Sequence, residues 1–302
     1  PRRETGECDR YLLITARKAT LCLTVLTKSL LRHAQRGIAM VKMAVVAHGG
    51  AGPGPERQTN LQRAVDEASR LLLSGASAVQ AAVEACVILE DDPVFNAGTG
   101  GVFRNDGSVL LDASIQTSDG RIGFVIAMSD TPNPIRVAAD LLDESINGLT
   151  GPGARAWADE RGHANRAVEG REPIEGDGDT VGVIVRDSSG AMACATSTGG
   201  CSHRPPGRVG DVPLPGSGFW VENSRSVAAT GEGEEITKAL LSYRVSNRAD
   251  SPQCDSLMDA LHWGLDELIP DGASVGLIAL DKEGPGVGLS NTVMPWASWI
   301  EN

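Results

Sequence analysis

The 302-residue sequence predicts an α+β fold, and three observations carry that prediction. From Met43 onward, short β-like runs alternate with glycine turns and helix-like runs. Two pairs of runs, 180–186 with 191–196 and 273–281 with 286–290, are separated only by short turns, the first being Asp187-Ser188-Ser189-Gly190. Closely spaced strands of this kind pair as antiparallel hairpins. Hydrophobic residues make up 41% of the chain, enough for a buried core in one large domain or two small ones.

Each element rests on its own pattern. The first clear strand is 44–47, which runs into the turn His48-Gly49-Gly50-Ala51-Gly52. Leu61, Ala64, Ala68, Leu71 and Leu72 recur at helical spacing over 61–74, and Val79, Ala82, Val83, Cys86 and Val87 share one side of a helix over 77–89. Strands follow at 108–116 and 122–128, then a helix over 134–142 that begins with Pro134, at a position where no N–H is needed. Residues 147–179 are rich in Gly, Ala and charge; a weak helix over 153–163 leads into a flexible acidic linker. Beyond the first hairpin, 226–230 reads as a strand and 234–243 and 256–268 as helices. No internal repeat is present.

Composition excludes some functions. A net charge of −12 argues against nucleic acid as a partner, because phosphate binding needs clustered Lys and Arg. No run approaches the roughly 18 apolar residues of a membrane span. The six cysteines show no CxxC pair and no metal-type spacing with the histidines, so they read as free thiols in a reducing compartment, the cytoplasm. Residues 1–39 stand apart, with eight Arg and Lys against three Asp and Glu. They read as a basic extension outside the fold, with 40–302 as a single domain. A targeting segment is the competing reading, since 19–26 is mostly apolar, but Lys28 and Arg32 interrupt it.

Four short motifs carry chemistry. The linker ends at Gly178-Asp179-Thr180-Val181-Gly182, which puts a threonine at the first position of a buried strand. A threonine hydroxyl is a poor nucleophile unless a base takes its proton, and a free α-amine on the same residue is one solution. That solution requires the bond between Asp179 and Thr180 to break. The bland alternative is a threonine with ordinary β propensity. The hairpin returns near Thr198-Gly199-Gly200, so a second hydroxyl can lie beside Thr180. Arg208 and Asp211, three residues apart among glycines, suit the carboxylate and ammonium of an amino acid; a surface ion pair is the plainer reading. Thr230-Gly231-Glu232-Gly233 ends a strand and opens a helix, where backbone N–H groups stabilise developing negative charge.

In this order the motifs resemble the plant-type asparaginase family, also called isoaspartyl peptidases, among the N-terminal-nucleophile (Ntn) hydrolases. Upstream, His48-Gly49-Gly50-Ala51-Gly52 is similar to that family's HGGAG turn, 89–100 to its LE..P.FNAG.G loop, and Leu111-Asp112-Ala113-Ser114-Ile115 to its MDA-type strand. The resemblance covers about residues 43–295. It implies a four-layer αββα sandwich, the Ntn-hydrolase fold, cleaved into 40–179 and 180–302 and assembled as an (αβ)2 heterotetramer. Thr180 would be the nucleophile and its freed amine the base, with Thr198 hydrogen-bonded to it. Arg208 would hold the substrate carboxylate and Asp211 its ammonium, while Gly231 and Gly233 line the site. Asn96 and Thr230 would serve the oxyanion hole. The loop with Leu89, Glu90, Asp92, Phe95, Ala97 and Thr99 would bind a structural sodium ion, mainly through carbonyls; no cofactor is needed for catalysis. The implied substrates are L-asparagine and β-aspartyl dipeptides.

Two departures stand out: Asp179 replaces the Gly that many members carry before the nucleophile, and 289–294 matches the family's FNT.GM ending only loosely. The nearest alternative is a glycosylasparaginase, which shares fold and nucleophile. A threonine-aspartase protease fits less well, for the chain lacks an obvious docking insertion. A nucleotide-binding turn at 49–54 is disfavoured by Pro53 and Pro55. An uncleaved, non-catalytic scaffold is the remaining alternative.

Overall fold

The computed structural model describes residues 41–172 and 180–302. The predicted extension 1–39, Asp179 and the end of the predicted linker lie outside the described residues. Residues Val41–Asn302 form one compact unit.

One sheet has seven strands in the order β11-β1-β5-β6-β2-β3-β4. These are β1 (Ala44–His48), β2 (Leu111–Thr117), β3 (Ile122–Met128), β4 (Gly148–Thr150), β5 (Val181–Arg186), β6 (Met192–Thr198) and β11 (Trp296–Ile300). The other sheet has the order β10-β9-β8-β7, from β7 (Phe219–Val221), β8 (Arg225–Gly231), β9 (Val275–Asp281) and β10 (Val287–Ser290). Every pairing is antiparallel except β3 with β4. Helices α1 (Gln58–Leu73), α2 (Ala78–Asp91), α3 (Pro134–Asp140) and α4 (Gly151–Glu160) precede the first predicted hairpin, and α5 (Gly233–Ala239), α6 (Leu241–Arg248) and α7 (Leu257–Leu268) follow it.

The period of two along each strand sorts side chains into layers. Val45 and Ala47 of β1 and Val181, Val183 and Val185 of β5 pack with α1 and α2, in a core that includes Leu61, Ala82 and Cys86. Their neighbours Ala44, Val46 and Ile184 point the other way and meet Ala228, Ile278 and Leu280 of the second sheet. That sheet's opposite face, Val227, Ala229, Val275 and Leu277, packs on α5, α6 and α7 through Ile236, Leu241, Val245 and Leu261. The layers therefore run helix, sheet, sheet, helix, the predicted αββα sandwich.

Local differences have identifiable causes. The predicted helix over 234–243 breaks at Leu240, which is left-handed with φ 48°. The break lets the first turn of α6 bond elsewhere: Ser242 N donates to the Ser217 carbonyl at 3.3 Å and Tyr243 N to that of Gly216 at 3.0 Å. Strand β6 runs to Thr198 rather than 196, because β2 pairs with it as far as Asp112↔Thr198. Strands β4, β7 and β11 had no sequence signal of their own.

Candidate active site

At one end of the space between the sheets, the inward positions turn from apolar to polar. On β5 the alternation that buries Ile184 puts Gly182 and then Thr180 on the same face; on β6 it puts Cys194, Thr196 and Thr198 there. Val181 pairs with Ser197, so Thr180 and Thr198 are neighbours across the hairpin. Thr180 is only 6% exposed. Its Oγ1 donates to Thr198 Oγ1 at 3.3 Å, and Thr198 Oγ1 also accepts from Gly200 N at 2.9 Å. The second hydroxyl is thus oriented by a backbone N–H and in turn orients the first.

Thr230 enters from the facing sheet, fully buried at the end of β8. Its Oγ1 accepts from Ala51 N at 3.3 Å, tying the turn after β1 to the strand–helix junction. Gly231 follows with φ 125°, and Glu232 N bonds to the Ser274 carbonyl at 2.9 Å. His48, fully buried on β1, pairs in register with Gly182, where a Cβ would collide with the imidazole. Desolvation lowers the His48 pKa to about 3, and the Thr180 backbone offsets this only in part. The ring is therefore neutral, and its Nδ1 accepts from Gly50 N at 3.3 Å.

Arg208 and Asp211 face the same end. Arg208 makes a two-bond contact with Glu234, Nε to Oε1 at 3.0 Å and Nη2 to Oε2 at 2.7 Å, so Glu234 and not Asp211 is its ion-pair partner. Asp211 is buried, and its Oδ2 has no hydrogen-bond partner among the described residues. Burial pushes its carboxyl up to about 7; Arg208 pulls it down, while Glu234 and Asp112 push it further up. Gly233 sits between the two side chains: a Cβ there would lie 2.6 Å from Asp211 Oδ1 and 2.9 Å from Arg208 Nη2. Any side chain at 233 would fill the gap between cation and anion. A cavity of about 710 Å³ opens beside this junction, lined in part by Ala51, Cys201, Arg204, Gly231 and Glu234.

Asn96 is set behind the Thr198 end rather than across from it. Its Nδ2 donates to the Gly200 carbonyl at 2.6 Å, its Oδ1 accepts from Val102 N at 3.0 Å, and its carbonyl accepts from Gly199 N at 2.9 Å. One of its two amide hydrogens is thus committed to the turn after Thr198.

The predicted ion loop lies further back, at the C-terminal end of α2. Leu89 and Glu90 are in the last turn, and Asp92, Phe95, Ala97 and Thr99 follow. Pro93 has no N–H to offer the Leu89 carbonyl, and Val94 N donates to Asp92 Oδ1 at 3.1 Å instead of continuing the helix. The last turn contains no basic residue. A helix end that directs carbonyls and partial negative charge into a loop is chemistry suited to a hard cation. Among the described residues, no cluster of His, Cys, Asp and Glu is arranged to hold a metal ion. Glu90 Oε1 instead accepts from Ser197 Oγ at 2.7 Å, and desolvation raises its pKa to about 8.

Sequence reasoning missed three residues around this site. Glu234 appeared only as the first residue of the predicted helix over 234–243, and Asp112 only as a letter in a strand motif. Arg104, a buried arginine, carried no signal.

The whole described chain matches the family model for Asparaginase, over residues 41–169 and 164–302. Curated relatives agree. An isoaspartyl peptidase of Escherichia coli is 32% identical over 300 residues, covering 86% of this chain and 93% of its own. An isoaspartyl peptidase/L-asparaginase of Bos taurus is 34% identical, covering 84% and 92%. A plant-type L-asparaginase of Pyrobaculum calidifontis is 34% identical, covering 80% and 91%.

Proposed function

We propose a function from one established premise: the chain belongs to the asparaginase family. It is a hydrolase acting on amide bonds, of the asparaginase and isoaspartyl peptidase kind. Our reading is that it cleaves itself between Asp179 and Thr180 into 40–179 and 180–302, and then uses Thr180 on L-asparagine and β-aspartyl dipeptides.

One observation carries this reading: a buried threonine at the mouth of β5 donates its hydroxyl to Thr198 at 3.3 Å, at the end of the space between the sheets where Thr230 is also buried. In self-cleavage the Thr180 hydroxyl attacks the Asp179 carbonyl and the Asp179–Thr180 amide bond breaks, freeing the Thr180 amine and leaving an ester that water hydrolyses to separate the two chains. In turnover that amine takes the hydroxyl proton as Oγ attacks the substrate side-chain carbonyl, and passes it to the departing amine or ammonia. Water then releases aspartate from the β-aspartyl ester. Thr230 is the donor best supported for the oxyanion, with Asn96 holding the adjacent turn as well as contributing its second amide hydrogen. Asp211, with spare acceptor capacity in a buried setting, takes the substrate ammonium. Arg208, whose plane Glu234 fixes, uses its remaining N–H groups on the carboxylate.

A sodium ion fits the carbonyl-rich end of α2, where Leu89, Glu90, Asp92, Phe95, Ala97 and Thr99 would hold it; it would brace the loop that carries Asn96 and take no part in proton transfer. Processed protomers would assemble as (αβ)2. Intact mass spectrometry with N-terminal sequencing, followed by a panel of asparagine, β-aspartyl-leucine and a glycosyl-asparagine, tests the reading. An uncut chain after long incubation would refute it, and preference for the glycosyl substrate would move it to the neighbouring activity.

A further inference from the structure

Among the buried charges that the mechanism above does not use, two lie near the hydroxyl pair. Arg104 and Asp112 are each almost wholly removed from water, and each keeps an unpartnered atom, Nε of the first and Oδ2 of the second, among the described residues. Stranding charged groups in this way is expensive, which makes their location informative. Both lie against the Thr180–Thr198 hairpin.

Arg104 reaches across 97 residues of sequence to the turn after Thr198. Its Nη1 donates to the Cys201 carbonyl at 3.4 Å and its Nη2 to the Leu110 carbonyl at 3.1 Å. The ends of the guanidinium lie against Gly200, where a Cβ would collide with them. Asn96 grips the same turn from its other side, through the Gly200 carbonyl at 2.6 Å. The turn between Thr198 and Cys201 is thus clamped from both sides, and its Gly200 N–H is the group that orients the Thr198 hydroxyl.

Asp112 completes the row. On β2 it pairs in register with Thr198, which neighbours Thr180, so hydroxyl, hydroxyl and carboxylate follow one another across three adjacent strands on one face. Ala127 N fixes Asp112 by donating to Oδ1 at 2.7 Å. Burial raises its pKa to about 6, while Ala127 N and the charges of Arg104 and Arg208 pull it back down. Both arginines act on this carboxylate through space, since no ion pair joins it to either among the described residues.

We propose that Arg104 and Asp112 are positioning residues, a buried brace that holds the Thr198–Cys201 turn and so keeps the Thr198 hydroxyl aimed at Thr180. This rests on the reading of Thr180 as nucleophile. Neither residue touches substrate. Their effect is on the geometry of attack, and small misplacements of reacting groups cost large factors in rate.

The test uses the full chain with Arg104→Met, Arg104→Lys and Asp112→Asn, alongside wild type. Processed fraction, kcat per processed protomer, KM for β-aspartyl-leucine and melting temperature are measured for each. The brace predicts that Asp112→Asn and Arg104→Met lower kcat about 10-fold or more while KM stays within about threefold. Arg104→Lys, which keeps the charge but not the planar fork, recovers part of the loss. A melting temperature that falls while kcat per processed protomer holds would overturn the proposal, as would a rise in KM with kcat unchanged. If Arg104→Met yields no folded protein, Asp112→Asn decides alone, since it preserves volume and changes only charge. Wild type separates the two levels. If it processes and turns over but Asp112→Asn matches it, the brace alone fails; if it never exposes Thr180 as an N-terminus, the nucleophile reading fails and takes the brace with it.

Discussion

The two ends of the space between the sheets are built from the same strands and obey different rules. At one end Val46, Ile184, Cys194, Ile278 and Leu280 pack as an apolar layer. At the other, two or four positions along strands of the same layer, His48, Thr180, Thr196, Thr198 and Thr230 are buried just as deeply. The apolar end is held by burial, which is non-directional and tolerates exchange of similar volumes. The polar end is held largely by partners at fixed places, such as Ser114 Oγ and Thr196 Oγ1, 2.6 Å apart, although His48 Nε2, Asp112 Oδ2 and Asp211 Oδ2 have none among the described residues. Burial thus makes the first end stable and the second end exact in geometry. Substitutions at the polar end should therefore change chemistry, and those at the apolar end should change stability.

The largest expected effect is at Thr180. Thr180→Ala removes the hydroxyl from the row and leaves the sandwich intact. The chain should remain a single uncut species on a denaturing gel, with turnover down by more than about 10⁴-fold and a melting temperature close to wild type. Cleavage in this variant would assign the nucleophile elsewhere. The next effect is at the clamp. Arg208→Ala, assayed after processing is confirmed, should lower kcat/KM by about 10²-fold, because charge-assisted bonds are worth roughly 1.5–3 kcal/mol each. Its self-cleavage should be nearly unchanged, since the scissile bond has no amino-acid head group to hold. Wild-type kinetics would return Arg208 to a surface role beside Glu234.

The contrast also explains what could be read from the sequence. The hairpin that carries Thr180 and Thr198 was legible because its turn and its two strands are contiguous, so local pattern alone fixes which residues are cross-strand neighbours. Arg208, Asp211 and Thr230 were legible as short motifs in order. The partners that orient them were not. Glu234 meets Arg208 only after the chain has folded between them, and Arg104 reaches the 198–201 turn from 97 residues away. The same holds for β11, whose Trp296–Ile300 becomes a strand by pairing with β1 at the opposite end of the sequence. Nothing in a five-residue run announces such a partner.

A smaller effect should appear with pH. Asp211 must be ionised to accept the substrate ammonium, and its pKa is raised by burial to about 7. KM for asparagine should therefore rise as pH falls below about 7, by up to roughly 10-fold per unit. Succinamic acid, which lacks the ammonium, should show no such rise, and equal pH dependence of the two KM values would remove Asp211 from the clamp. Stability carries contributions of both signs. Asp211 binds its proton more tightly in the folded state, so its contribution is present at low pH and is lost as pH rises from 3.8 to about 7. His48, lowered from 6.5 to about 3, contributes above pH 6.5 and is lost as pH falls towards 3. Asp211→Asn should weaken the first trend in a series of melts without removing it, because Asp112 and Glu90 are also raised by burial.

The smallest effect on turnover belongs to the apolar end, and it is the sharpest test of the contrast. Ile184 is on β5, four residues from Thr180 and on the same face, with no exposure to solvent. Its neighbours across the layer, Ile278 and Leu280, belong to β9, which also runs towards the site. Ile184→Ala should cost about 2–5 kcal/mol, the lost burial plus the cavity left behind, and the melting temperature should fall by several degrees. If the two ends are independent, kcat and KM per processed protomer should be unchanged at a temperature where the variant is folded. If kcat falls with stability, strain at the apolar end is being transmitted along β5 to the hydroxyl pair. The packing of the sheets would then be part of the positioning machinery, and Ile184→Val, which removes a single methylene, should show a smaller loss in the same direction.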